Sequence, residues 1–143
     1  MNNMQNLYRE VIMDHYKSPR NKGLTGKGKT CHMRNPSCGD DITVEVEVED
    51  GKIKHIHHEG TGCSICCSSA SVMSEVLTGK DVKEAKKLIN DYCNMIKGEE
   101  IDDEEELGEA VVYQGVAQFP ARMKCASIAW KAVEDVLGDE DEQ

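Results

Sequence analysis

The chain is short of positive charge. Among its 143 residues, 17 Lys and Arg face 27 Asp and Glu, a formal net charge of −10. That balance argues against non-specific binding to nucleic acid or to anionic membranes, which needs clustered cations. No apolar run approaches the roughly 20 residues that span a bilayer. The opening stretch, MNNMQNLYREVIMDHY, has no basic segment followed by an apolar one, so no secretory signal is expected. No internal repeat or linker appears. The expectation is a cytoplasmic chain with one domain over 1–137, followed by a disordered acidic tail, GDEDEQ, at 138–143. In the cytoplasm its seven cysteines are reduced, and an odd number cannot pair off within one chain. Clustered cysteines in that setting point to metal binding or catalysis more than to a disulfide framework.

Hydrophobic spacing places strands first and helices afterwards. Leu7, Val11, Ile12 and His15 share one helical face and Ser18-Pro19 ends the pattern, which predicts a helix over 4–16. Residues 17–29, made of Gly, Lys, Asn and Pro, read as a mobile loop. Ile42, Val44, Val46 and Val48 alternate with Thr43, Glu45, Glu47 and Glu49, the pattern of a half-buried strand with a charged outer face. Asp50-Gly51 signals a two-residue hairpin, so 52–59 returns antiparallel. Residues 30–35 are a further candidate strand.

After Gly62 the period becomes helical. Ala70, Met73, Val76 and Leu77 share a face, and Gly79 closes that helix. Asp81 can cap the next, with Val82, Ala85, Leu88, Ile89, Tyr92 and Ile96 inward. The acidic run 99–106 reads as solvated, and 104–117 holds another short helix. Pro120 opens a last helix with Ile128, Ala129, Ala132, Val133 and Val136 inward. The fold class is α+β: a small antiparallel sheet of about three strands with helices packed on one face.

The thiols sort by local context. In Asn35-Pro36-Ser37-Cys38-Gly39-Asp40 a thiol and a carboxylate flank a glycine, which lets the backbone turn both side chains toward one point. Cys63 sits in a Gly-Thr-Gly-Cys turn where a strand gives way to a helix, facing the positive end of the helix dipole. Cys125 follows Arg122 and Lys124 near the start of the last helix. Cys38, Asp40, Cys63 and Cys125 form a candidate four-ligand site. Its sulfur and oxygen donors suit zinc, and an iron–sulfur cluster would use the same thiolates. Cys63-Ser64-Ile65-Cys66 also forms a CxxC, but neither a second CxxC nor a βαβ context accompanies it. Cys31 and Cys93 read as small buried residues. His55, His57 and His58 read as solvated hairpin histidines, with His57 and His58 on opposite faces. Trp130 reads as a core or surface anchor.

NPSCGD, EGTGC ahead of a small-residue helix, and ARMKCASIAW resemble, in order and spacing, the U-type iron–sulfur cluster assembly proteins. The match runs from LYREVIMDHYKSPRN to about Leu137. Within that superfamily the likeness is to the SufU branch. IscU scaffolds carry a histidine immediately before the last cysteine, where this chain has Lys124, and their stretch between Gly79 and Pro120 is shorter. The resemblance implies metal ligation by Cys38, Asp40, Cys63 and Cys125, with a supporting role for Arg122 and Lys124. It implies zinc at rest, or alternatively iron or a [2Fe–2S] cluster. It further implies a cysteine desulfurase partner, with Cys38 accepting its persulfide sulfur, and downstream iron–sulfur assembly proteins. Cys66 and Cys67 stand where the family has small residues without thiols, so the resemblance assigns them no role. Two alternatives stay open: a scaffold that assembles a cluster on the same ligands, and a structural zinc domain without transfer chemistry.

Overall fold

The alternating stretch around Val44 becomes the middle strand of an antiparallel sheet in the order β1-β2-β3. The strands are β1 Lys29–Asn35, β2 Asp40–Glu49 and β3 Lys52–Thr61. The computed structural model describes the backbone over residues 3–101 and 104–140 and the side-chain surroundings over 8–101 and 104–138. Helix α1 (Asn3–Lys17) precedes the sheet; α2 (Ser64–Leu77), α3 (Val82–Ile96), α4 (Glu104–Leu107) and α5 (Pro120–Glu140) follow it. This is the α+β arrangement expected. Leu7 lies outside the residues whose side chains are described, whereas Val11, Ile12 and His15 of the same face are buried. Among the described residues, no helix is long and apolar enough to cross a membrane.

The turn between β2 and β3 forms as its residues require: Asp50 and Gly51 have φ of 54° and 75°, the left-handed pair of a tight hairpin. Ile42, Val44 and Val46 point from β2 into the core, joined by Ile53 and Ile56 of β3. Helices α2 and α5 cover this face, with α1, α3 and the Gly108–Gln118 segment behind them. Gly79 takes φ +89° just past α2, and its N–H bonds the Ile53 carbonyl at 2.8 Å. Asp81 occupies the N-cap position of α3 without a side-chain cap bond. The helix start is held instead by Val82 N–H on the Gly51 carbonyl, 3.0 Å.

A polar hub inside the helical layer sets how α2, α3 and α5 meet. Trp130 and Tyr92 stack with centroids 3.8 Å apart, worth about 0.5–1.5 kcal/mol beyond their buried area. Trp130 Nε1 donates to Ser69 Oγ at 2.9 Å, and the Ser69 and Tyr92 hydroxyls both donate to the Ala126 carbonyl, each at 2.7 Å. Trp130 is therefore a core residue.

Several expectations need correction. The 17–29 loop is tied down rather than loose. Its Arg20 N–H donates to Ser71 Oγ and its Asn21 amide to Ser74 Oγ, while Gly23 N–H bonds the His58 carbonyl and His58 N–H the Asn21 carbonyl. The chain then crosses the outer face of the sheet over Glu45. That side chain, expected in solvent, is buried and accepts from Thr25 N–H (2.8 Å), Thr25 Oγ1 (2.7 Å) and Gly26 N–H (2.7 Å). His58 is likewise buried, not solvated: its Nε2 donates to the Arg20 carbonyl at 2.8 Å, and burial holds its pKa below the ordinary value. His55 is exposed and His57 half-buried. Cys31 and Cys93 pack against the core from its rim and are half-buried. Past α4, residues Gly108–Gln118 form a 3-10 helix; two glycines and three valines there weaken the α-helical alternative. Helix α5 continues to Glu140, into the stretch expected as tail, and residues 141–143 lie outside the described ones.

Glu45→Ala should strip the acceptor from three loop donors and cost about 1–3 kcal/mol in urea unfolding. Burial would raise the Glu45 pKa, but the loop donors outweigh it and the net shift is downward. A depressed folded-state pKa stabilises the fold above the unfolded carboxylate range, and that stability is lost as pH falls through the folded pKa. The gap between wild type and Glu45→Ala should therefore narrow in acid; an equal gap at every pH would contradict this.

Candidate metal centre

The site forms where three chain segments end. Residues 36–39 connect β1 to β2 as a short loop, with Gly39 at φ +71° and the Cys38 N–H on the Asn35 carbonyl at 3.2 Å. Directly below, Asn35 and Asp40 are cross-strand partners. From β3 the chain turns through Gly62 into α2, and Cys63 is the N-cap of that helix, its Sγ accepting from Cys66 N–H at 3.5 Å. The first turns of α5 supply Arg122 and Cys125.

The Sγ atoms of Cys38 and Cys125 and a carboxylate oxygen of Asp40 all lie within 4.8 Å of one another. Cys63 falls just outside that set but adjoins it. Its thiol lies near enough to interact with Cys125 and Arg122, and its backbone N–H donates to Asp40 Oδ1 at 3.1 Å. Asp40 is buried, and its Oδ2 accepts from the Asn35 amide at 3.1 Å. The carboxylate is thus held at both oxygens.

Cys125 is fully buried. Burial, then hydrogen bonds with Asp40, Cys38 and Cys63, push its thiol pKa strongly up. Arg122 faces these thiols, and the negative charge of Cys63, then of Cys125 and Cys38, raises its own pKa. Lys124 is exposed, and no contact ties it to Cys125. Of the two residues given a supporting role, Arg122 reaches the cluster and Lys124 is exposed. Three thiols and a carboxylate with a deficit of interior positive charge fit a divalent metal such as zinc.

Cys66 and Cys67 do not join the cluster. Cys66 is fully buried and burial pushes its thiol pKa up; the Cys67 thiol donates to the Gly62 carbonyl at 3.6 Å. Two contributors escaped the sequence reading. Asn35 could be found only from the register that sets it opposite Asp40. At Gly62, an added Cβ would sit 2.6 Å from Asp40 Oδ1 and 3.2 Å from Cys66 Sγ, so this glycine leaves the room the carboxylate occupies. A second group, His15, Glu75 and Glu109, is already paired. His15 Nδ1 lies 2.7 Å from Ser71 Oγ and Nε2 3.1 Å from Glu109, with Arg20 Nε 3.9 Å from Glu75. It reads as a clamp joining α1, α2 and the Gly108–Gln118 segment.

A hairpin loop, a strand start and a last helix gather Cys38, Asp40 and Cys125 beside a helix N-cap cysteine, a metal-site class of small α+β domain. The chain belongs to the NifU-like N-terminal domain family, whose model matches residues 7–134. It is 42% identical to the zinc-dependent sulfurtransferase SufU of Bacillus subtilis, over 97% of this chain and 95% of that protein. It is 36% identical to the iron–sulfur cluster assembly scaffold protein IscU of Streptococcus pyogenes, over 96% of this chain and 86% of that one. A crystal structure from Fervidobacterium islandicum, described as a candidate iron–sulfur cluster assembly scaffold for the SUF system, superposes with a TM-score of 0.86 at 34% identity. The match covers 93% of this chain and 98% of that one.

Gly62→Ala should force Asp40 off its two donors and lower zinc affinity by about 10–100-fold, as loss of supporting contacts does in metal sites. Cys63→Ser should release most of the metal and lower the melting temperature, because metal binding contributes to folding. Cys66→Ala and Cys67→Ala should leave metal content unchanged. Metal analysis with thermal melts checks all four; full retention in Cys63→Ser would remove that residue from the site.

Proposed function

We propose that this protein takes part in iron–sulfur cluster assembly as a zinc-bound sulfurtransferase, accepting persulfide sulfur from a cysteine desulfurase in the cytoplasm. The observation that carries this reading is the meeting of Cys38, Asp40 and Cys125, adjoined by Cys63, with Cys38 half-exposed on a loop. The similarity to the Bacillus sulfurtransferase supports it. Zinc held by Cys38, Asp40, Cys63 and Cys125 would keep the thiols deprotonated and protect them from oxidation.

Cys38 is the group suited to receive sulfur. Its loop can move at little cost to the packed body, whereas Cys63 is built into a helix start and Cys125 is buried. In the transfer, the Cys38 thiolate attacks the terminal sulfur of the desulfurase persulfide. A new sulfur–sulfur bond forms on Cys38, the old one breaks, and its electron pair leaves with the desulfurase cysteine as a thiolate. No outside oxidant or reductant is consumed. Arg122, facing the thiols from the solvent side, holds negative charge at the mouth of the site.

The likeness to the streptococcal scaffold favours a second reading, in which the same four residues hold a [2Fe–2S] cluster as cargo. Lys124, at the position before the last cysteine, weighs toward sulfur transfer. A purely structural zinc site would be closed, and a half-exposed Cys38 speaks against that.

The test is cysteine turnover by a desulfurase with and without this protein, followed by mass spectrometry for a sulfur adduct. Wild type should stimulate turnover and carry the adduct on Cys38; Cys38→Ser should do neither. Asp40→Ala keeps every thiol and should retain metal while slowing turnover by about tenfold. An adduct confined to Cys125 would overturn the role of Cys38, and no stimulation by wild type would place the scaffold reading first.

A further inference from the structure

Asn35, which is not among the ligand-type residues chosen from the sequence, touches three residues of the candidate centre. It ends β1 and is buried. Its backbone carbonyl accepts the Cys38 N–H at 3.2 Å. Its side-chain Nδ2 lies 3.1 Å from Asp40 Oδ2 and 3.7 Å from Cys125 Sγ. An amide nitrogen has two hydrogens and both partners are acceptors, so each hydrogen has a destination. A buried amide must be satisfied by something. Here the two acceptors are candidate ligands from different elements, β2 and α5, and one of them is a sulfur.

We propose that Asn35 is a positioning residue for the metal centre: its amide ties Asp40 to Cys125, fixing one edge of the ligand set and leaving Cys38 as the ligand that can move. The inference rests on the metal reading above. Asp40 is braced at Oδ2 by Asn35 and at Oδ1 by Cys63 N–H. Cys125 is braced by the same amide. The Cys38 thiol meets the Cys125 thiol and donates to the Ala121 carbonyl at 3.7 Å, but no side-chain amide braces it among the described residues. When Cys38 swings outward, the Asn35–Asp40 pair stays closed beneath the loop, so Asp40, Cys63 and Cys125 keep their places. An N–H donor on a sulfur also withdraws electron density from it, which makes Cys125 the poorer nucleophile of the two.

The test needs no desulfurase, so its failure is separable from failure of the sulfur-transfer reading. Asn35→Leu keeps approximate bulk and removes both donors; Asn35→Ala serves in the same cycle should leucine disturb folding. Zinc affinity by chelator competition should fall about 10–100-fold. The fall should be clearly smaller in an Asp40→Ala background, where one of the two braced ligands is already gone. With cobalt in place of zinc, the thiolate-to-metal absorption band should move to longer wavelength as Cys125 loses its hydrogen bond. A merely structural asparagine would give additive losses and an unmoved band, and that result would overturn the proposal. In zinc-loaded wild type, the Asn35 side-chain amide protons should resist exchange with solvent by NMR. Rapid exchange there would overturn it without recourse to any variant.

Discussion

Cys63 and Cys125, the ligand candidates carried by helices, depend on the seam between α2 and α5, and one hydroxyl governs that seam. Ser69 Oγ receives the Trp130 indole and, together with Tyr92, saturates the Ala126 carbonyl. Ala126 is the residue after Cys125, and Ser69 lies six residues after Cys63, on the helix that Cys63 caps. The hub thus sets the approach of two thiols from behind. In a densely packed interior, where small displacements are resisted, the position of a helix becomes the position of its cysteine.

Among the described residues, two carboxylates, Asp40 and Glu45, are buried, and they are satisfied in different ways. Glu45 is enclosed by donors from one loop, and the result is a strap pinned across the sheet. Asp40 is held by donors from two elements that also supply thiols or support them, and the result is a ligand of fixed direction. A buried carboxylate without such partners would cost several kcal/mol. The arrangement of N–H groups separates a structural acid from a functional one.

The architecture was legible in the sequence where a local pattern had one meaning. Ile42, Val44 and Val46 alternate, Asp50-Gly51 demands positive φ, and the inward faces of α3 and α5 repeat at helical spacing. The candidate residues were legible too, since Cys38, Asp40, Cys63 and Cys125 each stand at or near the end of an element, and the structure brings Cys38, Asp40 and Cys125 together with Cys63 beside them. What stayed hidden depends on which segment covers which. Glu45 and His58 follow the pattern of solvated residues, and the loop that buries them has no hydrophobic signature. Lys124 and Arg122 are equivalent in the sequence, yet the pitch of α5 turns one toward the thiols and the other to water. Asn35 matters through its cross-strand register, which no single segment encodes.

The site draws on residues 38, 63 and 125, and the last of these lies beyond α3 and the Gly108–Gln118 segment. Contacts so distant in sequence form slowly, because the intervening chain must first be ordered. Cys38, Asp40 and Cys63 lie within one stretch of sheet and helix start, whereas Cys125 reaches them only once α5 is packed. In sequence the nearest further thiols are Cys66 and Cys67, one helical turn away. In the finished fold Cys66 is buried, and Cys125, brought from far along the chain, is the thiol that meets Cys38 and Asp40. Which sulfurs face one another is thus decided by the closing of the last helix and not by nearness in sequence.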